Sequence, residues 1–197
     1  MTSITKQYIS NHCLFQKETS RVTLKEFIIP NGATKIDPLA FSECNALTSI
    51  TIPSSVTEIG HHAFERCSAL TSITLHDGVT EIDDWAFSGC SSLRSISIPN
   101  SVTEISNRAF YQCTSLTSVT IPDGVTEIGI RAFLECSSLS SITIPDSVTE
   151  IGEGAFNQCT ALKHIICNNP DLFTNLNIQN KEQIQFNSDI TWAQSFN

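Results

Sequence analysis

Six cysteines recur at one fixed step. Cys44, Cys67, Cys90, Cys113, Cys136 and Cys159 form a series with a 23-residue period. Thiols held in register about 5 Å apart fall within reach of disulfide geometry. Every rung would have two equal neighbours, so no pairing follows. Zinc wants converging ligands from short spacings such as C-x2-C. Each unit offers one thiol and no matching His, so neither a metal nor any other cofactor is expected. The expected role is a reduced, buried thiol packing as a small hydrophobe. That suits a reducing compartment. Cys13 and Cys167 fall off the ladder and are expected to be more exposed.

A row of carboxylates keeps the same step: Glu58, Glu81, Glu104, Glu127 and Glu150, with Lys35 at its head. Stacked at about 5 Å, neighbouring carboxylates repel by about 0.8 kcal/mol in water. A solvated row copied with each unit accounts for them; a weak site for cations or a basic partner is the sharper reading. The five histidines are His12, His61, His62, His76 and His164. None has a nucleophile or acid partner fixed by spacing. His61 and His62, on a short helix, are expected to point their rings apart. No Gly-rich phosphate loop, H-E-x-x-H or G-x-S-x-G motif is present. The chain is therefore not expected to be an enzyme.

Binding chemistry is better represented. One variable column reads Leu39, His62, Trp85, Arg108, Arg131, Gly154, and neighbouring columns add Tyr111, Ile130 and Leu134. Trp, Tyr and Arg are the residues that anchor interfaces. Trp85, Arg108, Tyr111, Ile130, Arg131 and Leu134 form the candidate partner site. Trp85 either covers its own core or makes a sticky patch. A second surface is rich in hydroxyls: Ser49, Thr51, Ser72, Thr74, Ser95, Ser97, Ser118, Thr120, Ser141 and Thr143, flanked by Thr48, Thr71, Arg94, Thr117 and Ser140. Such a surface suits a peptide or glycan but lacks hot-spot residue types.

All these columns rest on one repeat. Phe41, Phe64, Phe87, Phe110, Phe133 and Phe156 keep the 23-residue step, and so do the Ala residues before them and the Leu series from Leu24 to Leu162. A fixed period in this range marks a solenoid. Six units run from Leu24 to Ala161 and a seventh starts at Leu162. Leu47, Ile50 and Ile52 keep an L-x-x-L-x-L spacing, and Ile50 and Ile52 alternate with Ser49 and Thr51 as in a half-buried strand. Pro53 ends that strand and pre-sets a turn. Ile59, Ala63, Phe64 and Cys67 fit one face of a short helix that only packing against neighbours can hold. The strands should stack at about 4.8 Å in one parallel sheet. Helices need about 8–10 Å between axes. The fold class expected is thus α/β: a curved, right-handed leucine-rich repeat solenoid, with the parallel sheet concave and short helices or turns convex.

The 197 residues are 40% hydrophobic and 16% charged, with a formal net charge of −9. That composition builds a core rather than a disordered chain. Residues 24–167 carry 7 basic and 16 acidic groups, so the whole excess lies on the solenoid. Such acidity argues against nucleic acid and anionic membrane as partners. No apolar run is long enough for a membrane-spanning helix, so no membrane insertion is expected. The first thirty residues hold no apolar h-region, so no classical signal peptide is expected. Residues 1–23 hold no clear copy and are expected to cap the first coil. Residues 168–197 are rich in Asn and Gln, yet Leu172, Phe173, Leu176, Ile178, Ile184, Phe186, Ile190 and Trp192 suit a cap folded back on the last coil.

The string V-T-E-I-G-x-x-A-F-x-x-C-x-x-L-x-x-I-x-I-P, at 56–76 with His76 for Pro and nearly unbroken at 125–145, resembles the BspA-like leucine-rich repeat family. The resemblance covers about three-quarters of the chain in six copies. It implies a curved, non-catalytic binding scaffold, of a family common among surface proteins, adhesins and proteins of host-associated microbes. Two functions are expected to compete. One is a protein-protein interaction scaffold, a virulence-associated factor that is cytoplasmic or exported without a classical signal peptide, including into a host cell. The other is an adhesin fragment binding host matrix protein or glycan. A monomer or a weak end-to-end dimer is expected.

Overall fold

The computed structural model describes residues 3–5 and 25–173. Each repeat unit makes one coil; after the first, whose described part starts at residue 25, the coils begin at Leu47, Leu70, Leu93, Leu116, Leu139 and Leu162. The first side of each coil is a three-residue strand. These strands are β2 (Glu26–Ile28), β4 (Ser49–Thr51), β6 (Ser72–Thr74), β8 (Ser95–Ser97), β10 (Ser118–Thr120), β12 (Ser141–Thr143) and β14 (His164–Ile166). The second side, which sequence patterning does not announce, is a two-residue strand. It forms β1 (Ser3–Ile4), β3 (Lys35–Ile36), β5 (Glu58–Ile59), β7 (Glu81–Ile82), β9 (Glu104–Ile105), β11 (Glu127–Ile128) and β13 (Glu150–Ile151). All pairings are parallel, and all but that of β1 with β3 keep the 23-residue register, as in Ser49↔Ser72 and Glu127↔Glu150. Both sides are interrupted once, between β6 and β8 and between β7 and β9.

The third side is a run of turns, not the helix expected over Ile59–Cys67. Two residues per coil, four apart, sit in the left-handed region: Leu39 and Glu43, His62 and Arg66, Arg108 and Gln112, Arg131 and Glu135. Trp85 (φ 61°) pairs with Gly89 (φ 73°) in the same way. No α-helix survives such residues. Each non-glycine one costs about 1–2 kcal/mol. Hydrogen bonding offsets that cost. His62, Phe64 and Arg66 donate their N–H groups to Asp84, Ala86 and Ser88 of the next coil at 3.1, 2.8 and 2.7 Å. The intervening Ala63, Glu65 and Cys67 donate three residues back, to Gly60, His62 and Phe64. The left-handed residues aim alternate amides along the rod, which a helix cannot do. The turn side therefore rises at the same step as the strands. The wider spacing of packed helices plays no part in shaping the rod.

The core follows the repeat. Leu47, Ile52, Val56, Ile59, Ala63, Phe64 and Cys67 are fully buried and Ile50 nearly so. The Phe rings from Phe41 to Phe156 form one stack, with centroids 4.9–5.5 Å apart and planes within 9°. Phe27 meets its first ring edge-on at 5.4 Å, and Phe173 meets its last at 6.1 Å. Such ring pairs add about 0.5–1.5 kcal/mol each beyond area burial.

Of the expected N-terminal cap, only residues 3–5 are described: β1 pairs with β3, and Ile4 is fully buried. At the other end a 3-10 turn, Pro170–Phe173, brings Phe173 into the core, with Leu172 packed against it. The remaining cap residues, Leu176, Ile178, Ile184, Phe186, Ile190 and Trp192, lie outside the described residues. Among the described residues, no helix is long and apolar enough to cross a membrane.

Phe110 is fully buried between Phe87 and Phe133. Phe110→Ala should lower unfolding free energy by about 3–5 kcal/mol in urea denaturation. A neutral result would place the Phe ladder outside the core.

Candidate functional site

The thiol ladder has a structural job. The Sγ of Cys67, Cys90, Cys113, Cys136 and Cys159 donates to the Phe carbonyl 26 residues earlier, at 3.1–3.2 Å. Each thiol thus clips its coil to the one before. Cys67, Cys90, Cys113, Cys136, Cys159 and Cys167 are free thiols. Burial pushes every one of the five clipping thiols up, Cys90 and Cys159 to about 12. Thiolate, the reactive form, is thereby suppressed. Cys44, the first rung, is half-buried. Cys167, expected to be exposed, is buried, because it continues the inward column of Ile98, Ile121 and Ile144 rather than the thiol ladder. Among the described residues, no group of three or more His, Cys, Asp or Glu is placed to hold a metal.

The carboxylate row is real and lies on the second strands. Lys35 pairs with Glu58 at its head. Glu104 sits above the usual carboxylate range, first through partial burial and then through Glu127, Asp84, Glu81 and Asp83. The hydroxyl surface divides in two. The strand residues from Ser72 to Thr143 are open to solvent. The flanking Thr48, Thr71 and Thr117 instead spend their hydroxyls on carbonyls one coil back, at 2.9–3.1 Å.

The turn side gathers three of the six candidate binding residues into one cluster. Trp85 carries the Arg108 guanidinium over its ring at 4.7 Å. Tyr111 meets Trp85 edge-on at 5.7 Å. From the preceding coil His62 stacks on Trp85 at 5.4 Å. Cation–π contacts of this kind contribute about 0.5–2 kcal/mol. Both faces of the indole are therefore taken. Trp85 is half-buried by its own neighbours, and the cluster presents a fixed surface rather than a loose side chain. Tyr111 Oη donates to Glu135 Oε1 at 3.3 Å, and Gln112 Nε2 to Glu135 Oε2 at 3.0 Å. Burial and the Glu135 charge hold the Tyr111 phenol up, so it stays a neutral donor.

Ile130, Arg131 and Leu134 lie one coil further. The Ile130 and Arg131 side chains are exposed and Leu134 is half-buried. None of the three is joined to Trp85 by a ring contact or a cation–π contact. Arg131, like Arg108, nevertheless bears on the Tyr111 phenol. Among the described residues, neither Arg108 nor Arg131 forms an ion pair. The backbone under the cluster is braced by side-chain caps: Asn107 N–H donates to Asp84 Oδ1 and Ile130 N–H to Asn107 Oδ1, both at 2.8 Å.

His62 and Glu135 belong to this cluster and are absent from the candidate residues read from sequence. The repeat column already places His62 one step before Trp85. His61 and His62 do not point apart: their rings touch edge-on at 4.2 Å. The cause is the left-handed backbone at His62, where a helix is expected from the sequence. His62 Nδ1 lies 3.0 Å from Glu65 Oε2, close enough for an ion pair but not aligned for a hydrogen bond.

Residues 7–133 and 92–190 match the model of the BspA type leucine rich repeat region, in 6 copies. No curated protein matches the chain significantly. Among solved structures, a leucine rich cell surface protein from Faecalibacterium prausnitzii A2-165 is similar, with 38% identity over 84% of this chain and 42% of that one, at a TM-score of 0.71. A leucine rich repeat protein of T. pallidum shares 30% identity over 75% of this chain and 61% of that one, at a TM-score of 0.50. The pneumococcal vaccine antigen PcpA, at 17% identity over 82% of this chain and 40% of that one with a TM-score of 0.58, shares the fold. The chain spans less than two thirds of the length of each of these proteins.

Two outcomes check these chemistries. At about pH 8, Ellman's reagent should leave the five rungs from Cys67 to Cys159 untouched until denaturant is added. Reaction of those rungs in the native protein would mean that the coils open readily. Glu104→Gln should leave stability unchanged or raise it at neutral pH. The raised carboxyl range means that ionising Glu104 weakens the fold as pH climbs through it, and Gln removes that effect. The difference should vanish at low pH, where both side chains are neutral. A large fall in melting temperature at neutral pH would sink the solvated-row reading.

Proposed function

The chain belongs to the BspA-type leucine-rich repeat family, and on that premise we propose that it is a non-catalytic scaffold that binds another protein through its turn side. The observation that carries this reading is the cluster on neighbouring coils: Arg108 stacked on Trp85, with Tyr111 packed on the same ring. Interface anchors of these types contribute most when they are ordered before the partner arrives, since less conformational freedom is then lost on binding. Stacking between His62 and Arg108 provides that order for Trp85. Exposed Ile130 and Arg131, with half-buried Leu134, extend the surface with apolar and cationic groups. The buried thiols, held as donors to the Phe carbonyls of the preceding coil, support a structural rather than a catalytic role for the cysteine ladder.

A second reading places the same scaffold at the cell surface as an adhesin. Its support is that the F. prausnitzii relative is described as a cell surface protein. A scaffold delivered into a host cell fits the same binding surface and would meet a host protein as its partner.

The test is capture of partners from host lysate and on immobilised matrix proteins, with wild type beside a Trp85→Ala, Tyr111→Ala double variant of unchanged circular dichroism. Loss of two such anchors should weaken partner binding by at least about 2 kcal/mol. A partner held equally by both proteins would overturn the turn-side assignment and direct attention to the hydroxyl face. Binding only to matrix proteins or glycans would favour the adhesin reading.

A further inference from the structure

The coils are not joined equally. Three main-chain bonds recur from coil to coil on the strand sides. In the first column, Thr71 N–H donates to Thr48 and Thr117 N–H to Arg94. In the second, Thr80 N–H donates to Thr57 and Thr126 N–H to Thr103. In the third, Gly60, Asp83, Gly129 and Gly152 donate to Ile36, Ile59, Ile105 and Ile128, at 2.7–2.9 Å. At one junction all three are missing. Arg94, Thr103 and Ser106 make no such bond to Thr71, Thr80 and Ile82. Both sheets break at the same place, between β6 and β8 and between β7 and β9.

The turn side of that junction is intact. Trp85, Phe87 and Gly89 donate to Asn107, Ala109 and Tyr111 at 3.0, 2.9 and 2.7 Å. The Phe stack passes through unbroken, Phe87 to Phe110 at 5.5 Å, and Cys113 clips to the Phe87 carbonyl at 3.2 Å. The third and fourth coils thus keep their main-chain bonds along one side and lack these three along the other two, where the Ser101 and Ser106 hydroxyls reach the Val79 and Ile82 carbonyls instead.

Residue chemistry explains the opening. Ser106 occupies the column that is glycine at positions 60, 129 and 152. A Cβ there comes within 2.9 Å of the neighbouring carbonyl oxygen, that of Ile36 at Gly60 and that of Ile105 at Gly129. Ser106 has that Cβ, and its hydroxyl donates to the Ile82 carbonyl at 2.6 Å, taking the acceptor that a main-chain N–H uses elsewhere. Asp83 also carries a Cβ in this column but keeps its main-chain bond. Its Oδ1 accepts the Asp84 N–H at 2.8 Å and does not compete for the Ile59 carbonyl. On the outer face, Glu81, Asp83, Asp84 and Glu104 place four carboxylates around the same gap. Arg94 stands in the column where Thr48, Thr71 and Thr117 staple one coil to the next.

We infer that the junction between the third and fourth coils is a hinge, with the turn side as its pivot and the two strand sides as its opening edge. The halves on either side, 25–92 and 93–166, keep all three of these bonds at each of their own junctions through the sixth coil, the longest being Ser140 to Thr117 at 3.5 Å, and move as separate bodies. Trp85 lies on one side of the pivot and Arg108 and Tyr111 on the other, so the cluster sits on the line about which the rod bends.

Two measurements on the whole chain decide it. In native-state amide exchange, Arg94, Thr103 and Ser106 should exchange at least about 100-fold faster than Thr117, Thr126 and Gly129. Ser106→Gly should raise protection at position 106 toward that of Gly129. Residual dipolar couplings should need separate alignment tensors for the two halves. Equal protection at the three amides in the wild-type protein overturns the open ladder. A single tensor fitting both halves overturns the hinge.

Discussion

Each coil must satisfy its peptide groups through the next coil. A single coil buries too little to stand alone, and a buried peptide group left unpaired is expensive. Every side therefore has to climb at the rise of a hydrogen-bonded ladder. Two sides do so as strands. The third does so as turns whose alternate N–H groups point along the rod. The left-handed residues at positions such as His62 and Arg66 are the local strain that this geometry requires. It persists because the bonds on both sides over-determine it.

The side-chain ladders follow from that rise. Phe rings repeating at 4.9–5.5 Å stack face to face, which a helical spacing would not permit. Cysteine suits its column because it is small enough to be buried and still donates a proton to the Phe carbonyl below. Alanine would fill the space without the bond. The recurring Thr before each Glu works likewise: Thr57, Thr80, Thr126 and Thr149 add a hydroxyl donor to the carbonyl their own amide already uses. Much of the hydroxyl content is thus structural rather than a binding surface.

The candidate binding cluster stands in columns that the ladder does not dictate. The left-handed column on the turn side projects outward, and its residue type is free to vary. That freedom allows Trp85 and Arg108 to stand in successive coils and stack. The same freedom allows Ser106 to replace a glycine and exchange a main-chain bond for a side-chain one, which loosens the rod beside its most aromatic surface.

The repeat, the register, the inward residues and the columns of the candidate site were all legible in the order of the amino acids. A 23-residue step leaves only one way for Leu47, Ile50, Ile52, Phe64 and Cys67 to face a common core, and any residue's neighbours are then found one step away. Trp85 and Arg108 were legible as neighbours for that reason. The path of the third side was not legible. Ile59, Ala63, Phe64 and Cys67 satisfy the spacing of a helix and of a turn ladder equally well, because hydrophobic periodicity records which side chains face inward and not where the amides point. The folded coils settle the matter, since the deciding bonds run between them. The same ambiguity hid the contact of His61 with His62 and the stacking that covers both faces of Trp85. It also hid the break at Ser106, where one hydroxyl competes with one N–H for a single carbonyl of the neighbouring coil.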